Sequence, residues 1–419
     1  MLHPDLRPGR STDASFSLDE AVSLTRALEL AVVGAHVVTV QQPRAGTLFG
    51  PGKVDELGEI CAEHEIELVI VDGPVTPVQQ RNLEKAWQVK LLDRTGLILE
   101  IFADRAATRE GVLQVDLAAL SYQKSRLVRS WTHLERQRGG LGFVGGPGET
   151  QIEADRRAID AQIGRIRKAL TKVVKTRSLH RAARKKVPYP IVALVGYTNA
   201  GKSTLFNRLT GADVLAKDML FATLDPTMRA VRLASGPEVI LSDTVGFISD
   251  LPTQLVAAFR ATLEEVLDAD LILHVRDISH PRSDEQAQDV HTILEELGVD
   301  EDRRARMLEV WNKTDLLPPQ DLSSTLARAE RSEHVYPLSA VTGAGQDALL
   351  QAIASALRPD LRRETLHLPF EDSRRRAWLF RHHLVEGEDQ SDTGYALVVA
   401  WTAVQRAQFM ALDETTEPS

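Results

Sequence analysis

The sequence predicts an α/β protein of several domains, and three patterns carry that prediction. Near the N-terminus, short apolar runs alternate with segments of helical periodicity, which favours a small domain with a parallel sheet. Two long heptad-patterned segments follow, and they predict a pair of helices. Further on, an apolar strand, Ile191 to Val195, leads through a glycine-bearing turn into a helix, Ser203 to Leu209. The 419 residues exceed one ordinary domain, for which about 100–200 are typical.

The first region, residues 1–107, is predicted to form the small α/β domain. Met1 to Ala14 is polar and contains proline and glycine, so we expect a loose tail there. The periodicity then predicts helices at 18–33, 54–64 and 77–87, and strands at 36–40, 67–71 and 90–92. Gly50-Pro-Gly-Lys53 lacks the Ser or Thr that follows the lysine of a phosphate loop. A turn that starts a helix is therefore favoured, with nucleic-acid or ATP contact as the alternative.

Residues 108–187 contain two series of apolar residues with heptad spacing, and the first is interrupted only by Lys124. The first series is Leu113, Leu117, Leu120, Leu127, Trp131 and Leu134, and the second is Ile152, Ile159, Ile163, Ile166, Leu170 and Val173. The uncharged, glycine-rich segment Gly139 to Gly148 joins them and is short enough to fold the pair back. We expect an antiparallel helical hairpin, with a coiled-coil dimer as the alternative. The tip, with Phe143, suits either a hinge or a probe that approaches a crowded surface closely.

The hairpin region has a charge opposite to that of the whole chain. The chain carries a net charge of −9, yet residues 121–187 contain 17 Lys and Arg against 5 Asp and Glu. The second helix and its exit hold Arg156, Arg157, Arg165, Arg167, Lys168, Lys172, Lys175, Arg177, Arg181, Arg184, Lys185 and Lys186. Such a run is often only a solvated helix face, but its length and single sign favour binding to phosphates of RNA.

The composition indicates the cellular compartment in which the protein is expected. A single cysteine, Cys61, excludes a disulfide framework and favours a reducing cytosol. No apolar run approaches the roughly 20 residues that a membrane span needs, and Met1 to Ser15 lacks the apolar middle of a signal peptide. We therefore expect a cytoplasmic protein without membrane spans. If the hairpin folds back on itself, we expect the protein to be monomeric in solution.

A phosphate-binding loop is the most specific motif in the chain. Gly196-Tyr-Thr-Asn-Ala-Gly-Lys-Ser203 matches G-x-x-x-x-G-K-[ST] between a strand and a helix. The glycines let backbone N–H groups converge on phosphate oxygens, and the helix N-terminus adds positive potential. We expect Lys202 to reach the outer phosphates and Ser203 to place its hydroxyl on Mg²⁺. By itself the loop does not distinguish ATP from GTP.

Two later loops are expected to contact the third phosphate and the metal. Asp243-Thr-Val-Gly246 follows an apolar strand, so Asp243 can hold Mg²⁺ through water while the Gly246 N–H meets the γ-phosphate. Thr223, within Phe221-Ala-Thr-Leu-Asp225, lies between the two motifs in the chain. Its hydroxyl can close over Mg²⁺ when a third phosphate is present.

Two further motifs select the base. Asn312-Lys-Thr-Asp315 follows a strand predicted at 307–311, and Asp315 can accept hydrogen bonds from both guanine donors, which adenine lacks there. Ser339-Ala340 follows a strand predicted at 335–338 and can offer a backbone N–H to the guanine carbonyl. Four motifs in this order at strand ends predict a GTPase, because ligands of open α/β sheets bind there.

The predicted site can be stated residue by residue. The catalytic candidates are Lys202, Thr223, Gly246 and Asn199. The metal ligands are Ser203 and Thr223, with Asp243 acting through water. The nucleotide-binding residues are Gly196, Tyr197, Thr198, Asn199, Ala200, Gly201, Lys202, Ser203, Thr204, Phe221, Ala222, Thr223, Leu224, Asp225, Asp243, Thr244, Val245, Gly246, Asn312, Lys313, Asp315, Ser339, Ala340 and Val341.

One residue bears on the rate of hydrolysis. Many GTPases position the attacking water with a polar residue directly after D-x-x-G, and here that residue is Phe247, which cannot do so. We expect slow hydrolysis until another group completes the site. That group can come from a partner in trans, or it can be K⁺ held near Asn199. The alternative for Asn199 is a simple turn residue.

From about Ala31 to Ala411 the chain resembles the HflX family of ribosome-associated GTPases. The motifs that carry the resemblance are Asp93-Arg-Thr-Gly96, Gly146-Pro-Gly-Glu-Thr-Gln151 with Asp155-Arg-Arg157, the loop 196–203, Phe221 to Thr227, and Asp243-Thr-Val-Gly-Phe-Ile248 with Leu251-Pro252. The resemblance implies a GTPase that binds the large ribosomal subunit and splits or rescues stalled ribosomes, with the hairpin tip near the peptidyl-transferase region. It also implies ATPase and RNA-unwinding activity in the N-terminal part. Gly145 departs from the arginine common in the family, which puts an RNA contact at the tip in doubt.

The predicted architecture is α/β, with a P-loop GTPase domain preceded by a small α/β domain with an antiparallel helical hairpin and followed by a small α/β C-terminal domain. We predict the GTPase domain at 188–358 and the last domain at 359–419. Strands at 365–368 and 395–401 around a helix at 374–384 favour the latter, and 413–419 is expected to be disordered. The leading functional hypothesis is a GTP switch on the ribosome. The alternatives are an RNA-remodelling NTPase that uses ATP in its N-terminal domain, and a dimeric scaffold.

Overall fold

The computed structural model describes residues 1–6, 11–137, 147–184, 189–212, 220–221, 227–233, 238–249, 265–358, 361–391 and 393–412. It divides into two compact units, Met1–Ala352 and Ile353–Ser419. Three sheets are formed within the described residues. None of the helices in these ranges combines the length and the apolar character that a membrane crossing requires.

The N-terminal region is built on a four-stranded parallel sheet. Its strands, in the spatial order β2-β1-β3-β4, are β1 (Leu2–Asp5), β2 (His36–Thr39), β3 (Leu68–Val71) and β4 (Lys90–Asp93). Its helices are α1 (Ser11–Ala27), α2 (Pro51–Glu63), α3 (Pro77–Trp87) and α4 (Arg94–Arg105). Every strand pair is parallel, which confirms the predicted small parallel α/β domain.

The prediction of a loose tail at Met1 to Ala14 was wrong. Leu2–Asp5 is the strand β1, which lies between β2 and β3, and α1 already begins at Ser11. The strand is held because both of its neighbours supply backbone partners, and because Leu2 and Pro4 point into the core. Strand pairing of this kind comes from distant segments and leaves little local signal in the sequence.

The turn before α2 confirms the preferred interpretation of Gly50-Pro-Gly-Lys53. Gly50 is the N-cap in an extended conformation, and Pro51 occupies the first helical turn, where its missing N–H costs nothing. Lys53 is half-buried and forms an ion pair with Glu56 at 2.6 Å. Helix α4 starts on a stronger cap, since the Asp93 carboxylate accepts from the Gly96 N–H at 2.8 Å.

Two long helices, α5 (Arg109–Gln137) and α6 (Pro147–Arg184), form the predicted antiparallel hairpin. Lys124, which interrupts the heptad pattern, forms an ion pair with Asp160 on the facing helix. The interruption is therefore a polar contact between the two helices. The tip, including Phe143 and Gly145, lies outside the described residues.

A six-stranded sheet in the order β10-β9-β8-β5-β7-β6 forms the centre of the third region. The strands are β5 (Ile191–Gly196), β6 (Thr227–Arg232), β7 (Glu238–Asp243), β8 (Leu271–Asp277), β9 (Leu308–Asn312) and β10 (Val335–Pro337). All pairs are parallel except β6 with β7. The helices are α7 (Lys202–Thr210), α8 (Ser283–Glu296), α9 (Glu301–Ala305), α10 (Pro319–Glu330) and α11 (Gln346–Ala356).

One apolar core joins this sheet to the N-terminal region and the hairpin. The cluster runs from Leu97 and Phe102 on α4 to Phe247 and Ile248 beyond β7. Phe102 meets Phe221 edge to face, with the ring centroids 4.7 Å apart. The loops that follow the nucleotide motifs are therefore packed directly on α4.

The second compact unit contains an antiparallel sheet in the order β11-β13-β12. Its strands are β11 (Arg362–Pro369), β12 (Val385–Ser391) and β13 (Gly394–Trp401), and its helices are α12 (Ser373–Arg381) and α13 (Ala403–Ala411). This confirms a small α/β C-terminal domain. The sequence did not predict β12, because this edge strand is acidic and largely exposed and so lacks the alternation of a half-buried strand.

Candidate nucleotide-binding site

The phosphate loop connects β5 to α7, and two of its glycines are required by close approaches. A Cβ on Gly196 would lie 2.1 Å from the Val275 carbonyl oxygen of β8. Gly201 has a left-handed φ of 91°, and its Cβ would lie 2.2 Å from Nδ2 of Asn312. The loop can therefore lie against the neighbouring strand and the base motif only with glycine at both positions.

Lys202 is buried at the centre of this loop. Its Nζ donates to the carbonyl oxygens of Gly196 at 3.1 Å and Tyr197 at 2.8 Å. Burial lowers the pKa of Lys202 to about 8, although the nearby Asp243 carboxylate acts in the opposite direction. An ammonium held in this way is poorly compensated, so phosphate oxygens arriving at the loop would be strongly attracted to it.

The two metal candidates that the structure describes lie side by side. The Ser203 hydroxyl donates to Oδ2 of Asp243 at 2.7 Å, which brings a hydroxyl and a carboxylate together at the start of α7 and the end of β7. Oxygen donors of this kind are those that Mg²⁺ prefers, so the residues fit the ion. Thr223, with Ala222, Leu224 and Asp225, lies outside the described residues.

The loop after Asp243 is joined to the phosphate loop by backbone hydrogen bonds. The Thr198 N–H donates to the Phe247 carbonyl at 2.7 Å, and the Phe247 N–H donates to the Gly196 carbonyl at 3.1 Å. Between them, a Cβ on Gly246 would lie 2.8 Å from Cγ2 of Thr198 and 3.1 Å from Nζ of Lys202. Only a residue without a side chain therefore fits at this position, which the sequence predicts to meet the third phosphate.

Asn312 joins the phosphate loop to the base-binding loop. Its amide donates to the Ala200 carbonyl at 2.8 Å and accepts from the Ala340 N–H at 3.0 Å. The Ala340 N–H, expected to contact guanine, is therefore engaged by Asn312 in this arrangement. The N–H of Val341 next to it has no partner among the described residues, and this group is free to face the guanine carbonyl.

The remaining base-motif residues differ in their exposure. Lys313 has a left-handed φ of 64° and forms an ion pair with Asp277 at 2.8 Å. Asp315 is exposed, as is required of a carboxylate that must accept hydrogen bonds from an incoming base. Ser339 is buried and its hydroxyl accepts from the Thr342 N–H at 3.0 Å, which shapes the loop.

Several predicted residues contribute backbone rather than side chain. The Tyr197 hydroxyl points away from the loop, towards Glu20 and Ser249. The Thr244 hydroxyl donates to the Leu194 carbonyl at 2.6 Å, and Val245 is buried in the core. Asn199 has a left-handed φ of 59° with an exposed side chain, a geometry that suits a turn and leaves the amide open to a cation.

The sequence did not indicate one supporting residue at all. Arg208 on α7 donates to the carbonyl oxygens of Val341 at 2.9 Å and Thr342 at 2.9 Å, and to the side chain of Gln346 at 3.2 Å. It fixes the base-binding loop to the helix that follows the phosphate loop. No motif marks such a contact, because its partners lie more than 130 residues away in the chain.

The six-stranded sheet with these loops at its strand ends is the architecture of a P-loop GTPase. Models of four protein families match the chain in order: "GTP-binding GTPase N-terminal" at 15–103, "GTP-binding GTPase Middle Region" at 105–184, "50S ribosome-binding GTPase" at 191–313 and "HflX C-terminal domain" at 324–413. The GTPase HflX of Magnetococcus marinus is 51% identical over 380 residues, covering 89% of this chain and 86% of the relative. The chain belongs to the HflX family of GTPases.

A second curated relative agrees with this assignment. The GTPase HflX of Escherichia coli is 46% identical over 354 residues, which cover 84% of this chain and 82% of the relative. Among solved structures, the complex of SsGBP with GDP matches with a TM-score of 0.48 at 24% identity, covering 85% of this chain and 98% of that one.

Proposed function

We propose that this GTPase is a nucleotide-dependent switch that binds the large ribosomal subunit and splits or rescues stalled ribosomes. The family model over residues 191–313 describes a 50S ribosome-binding GTPase, and the relatives carry the HflX name over most of this chain. A switch needs one state that GTP stabilises more than GDP does, since a ligand bound equally by both states shifts nothing.

The observation that carries the proposal is the row of positive side chains on α6. Its exposed basic residues within the described range are Arg156, Arg157, Arg165, Arg167, Lys168, Lys172 and Lys175. Arg157 forms an exposed ion pair with Glu153, which solvent weakens. A predominantly basic row of this length on a two-helix hairpin is suited to the phosphates of ribosomal RNA.

In the proposed site, each group has a distinct task. Ser203 and Thr223 would hold Mg²⁺, with Asp243 acting through water, and the ion would neutralise charge on the outer phosphates. Lys202 would bind those phosphates, and the Gly246 N–H would meet the γ-phosphate. Asp315 would accept the two guanine donors. Phe247 cannot orient water, so K⁺ near Asn199 or a group from the ribosome would complete the site.

The organisation of the chain belongs to the same proposal. We divide it into an N-terminal α/β domain (1–107), the basic hairpin (108–187), the GTPase domain (188–358) and a C-terminal domain (359–419). The protein would act in the cytoplasm as a monomer. For the alternative of ATP use in the N-terminal domain, Lys53 with its Glu56 partner offers no support.

Sedimentation with purified large subunits tests the switch. We expect wild-type protein to pellet with the subunits in a non-hydrolysable GTP analogue and to remain largely in the supernatant with GDP. A Lys202→Ala variant should pellet to the same extent with both nucleotides, because it no longer distinguishes the GTP analogue from GDP by their outer phosphates. Equal pelleting of the wild type in both nucleotides would contradict the proposal.

Charge reversal tests the hairpin. The variant Arg165→Glu, Lys168→Glu, Lys172→Glu should lose subunit binding while it retains intrinsic GTP hydrolysis. Wild-type binding should weaken on the order of 10²-fold between about 50 and 200 mM salt, as expected when several phosphates are neutralised. The matched control reverses three exposed arginines elsewhere, Arg331, Arg362 and Arg381, to Glu. If the control loses as much affinity as the hairpin variant, the hairpin is not the binding surface.

A further inference from the structure

The segment Asp93-Arg94 lies between the nucleotide loops and helix α5 of the hairpin. Arg94 is buried, and one of its nitrogens donates to Oδ1 of Asp72 at 2.6 Å. Its other terminal nitrogen donates to Glu20 at 2.9 Å and to the carbonyl oxygen of Ser249 at 3.0 Å. Burial acts to lower the pKa of Arg94, but the two carboxylates raise it above its usual value, so the guanidinium stays charged.

Glu20 and Ser249 carry these contacts on to the phosphate loop. The Tyr197 hydroxyl donates to the second oxygen of Glu20, and it accepts from the Ser249 N–H at 2.9 Å. Ser249 follows Phe247 by two residues, in the loop expected to order around the third phosphate. Tyr197 of the phosphate loop and Ser249 of the loop after Gly246 therefore contact the same ion pair, formed by Glu20 and Arg94.

Asp93, the neighbour of Arg94, makes the contact with the hairpin. Its Oδ1 accepts from the Tyr122 hydroxyl at 2.5 Å, and its Oδ2 accepts from Arg126 at 2.9 Å. Both partners lie near the middle of α5. The carboxylate is also the cap of α4, so a change in its position would move the start of that helix.

We propose that Asp93 and Arg94 are positioning residues that couple the loop after Gly246 to the hairpin, so that nucleotide state and hairpin geometry are linked. The inference deepens, and rests on, the proposed function, because it needs ribosome binding to depend on the nucleotide. Asp93 is the last residue of β4 and Arg94 the first residue of α4, and both are buried, so a displacement of one is passed to the other through the backbone. If the loop after Gly246 becomes ordered and Ser249 shifts, the displacement therefore reaches Tyr122 and Arg126 through the short segment Asp93-Arg94.

The packing supports the same linkage. Phe221, directly before the segment that holds Thr223, is buried against Phe102 of α4 with a left-handed φ of 57°. Helix α4 thus contacts the loops on both sides of the expected γ-phosphate, one through Phe102 and one through Arg94. Close-packed interiors pass from one arrangement to another rather than deform continuously, which suits a switch.

The experiment measures the ratio of two dissociation constants for large subunits, with GDP and with a non-hydrolysable GTP analogue. A Tyr122→Phe variant loses only the hydroxyl that donates to Asp93 and accepts from Arg126. A Tyr197→Phe variant loses only the hydroxyl that contacts Glu20 and Ser249. We expect each to reduce the ratio by at least about threefold, within the usual range of coupling between sites. Tyr122→Phe should leave the GDP affinity of the free protein unchanged, which a general loss of structure would not.

The double variant shows whether the two contacts belong to one route. If they do, Tyr122→Phe with Tyr197→Phe reduces the ratio no further than the stronger single variant does. The matched control is Tyr189→Phe, an exposed tyrosine outside the network, which should keep the wild-type ratio. A wild-type ratio of one would overturn the proposed function together with this inference. Two other outcomes would overturn the coupling alone, provided that wild-type binding depends on the nucleotide. One is that both single variants keep the wild-type ratio, and the other is that the reductions in the two single variants multiply in the double variant.

Discussion

Two turns in this chain place a lysine after glycine at the start of a helix, and their surroundings differ. Lys53 follows Gly50-Pro-Gly, has a side chain that is 36% exposed and pairs with Glu56 on its own helix. Lys202 follows a glycine with left-handed φ, is 6% exposed and donates to two carbonyl oxygens of its own loop. A phosphate-binding lysine is thus distinguished by a loop that folds around it, which a Gly-Lys pair alone does not provide.

The difference predicts the largest effect at Lys202. Lys202→Ala should lower kcat/KM for GTP by about 10²–10³-fold, since a preorganised charge on the phosphates is removed. Steady-state phosphate release measures it, and near-ultraviolet circular dichroism checks that the fold persists. If the variant keeps more than about a third of wild-type activity, Lys202 does not serve the phosphates.

At the other end of the nucleotide, we expect a slightly smaller loss with a specific rescue. Asp315→Asn removes the acceptor of two guanine donors and should weaken GDP binding by about 10²-fold. Xanthosine diphosphate, which has a carbonyl in place of the exocyclic amine, should bind the variant better than GDP does. Fluorescence titration with both nucleotides checks this, and an unchanged preference for guanine would contradict the assignment of the base site.

The depressed pKa of Lys202 predicts a pH dependence of binding. Because burial lowers this pKa to about 8, the free protein loses the ammonium charge as pH rises through that value. Bound phosphates stabilise the ammonium and raise its pKa, so binding takes up a proton and GDP affinity should fall by up to about tenfold per pH unit above 8. Titrations in EDTA exclude effects of Mg²⁺, and a flat profile from pH 7 to 10 would show that the charge is not lost.

The smallest effect is expected at Lys53. Lys53→Ala breaks one exposed ion pair and should change stability by less than about 0.5 kcal/mol. GTP turnover and any ATP binding by the protein should stay within about twofold of wild type. Loss of ATP binding in this variant would restore the interpretation of Gly50 to Lys53 as a second nucleotide contact.

Sequence patterns predicted those parts of the structure whose cause is local. Strand β5, helix α7 and the hairpin follow from periodicity and from motifs that are continuous in the chain. Strand β1 was missed because its stability comes from pairing with strands more than 30 and 60 residues away, and β12 because an acidic edge strand has no apolar face.

The same limit applied to the site. The motifs placed Lys202, Asp243 and Asp315 at strand ends, and the structure brings their loops together through Asn312 and Phe247. The contacts of Arg208 and Glu20 could not be predicted, since they depend on how separate regions pack. The roles of the site residues in binding and hydrolysis remain predictions for the measurements above.

The apolar cluster shared by α4, α5 and the GTPase sheet affects how the chain unfolds and which fragments of it can fold alone. A fragment beginning at residue 188 would leave Phe221 and Phe247 without Phe102 and Leu97, and would place large apolar rings in water. We expect such a fragment to aggregate or to lose cooperativity. The three regions before Ala352 should unfold in one transition, although the motifs along the sequence suggest separable modules.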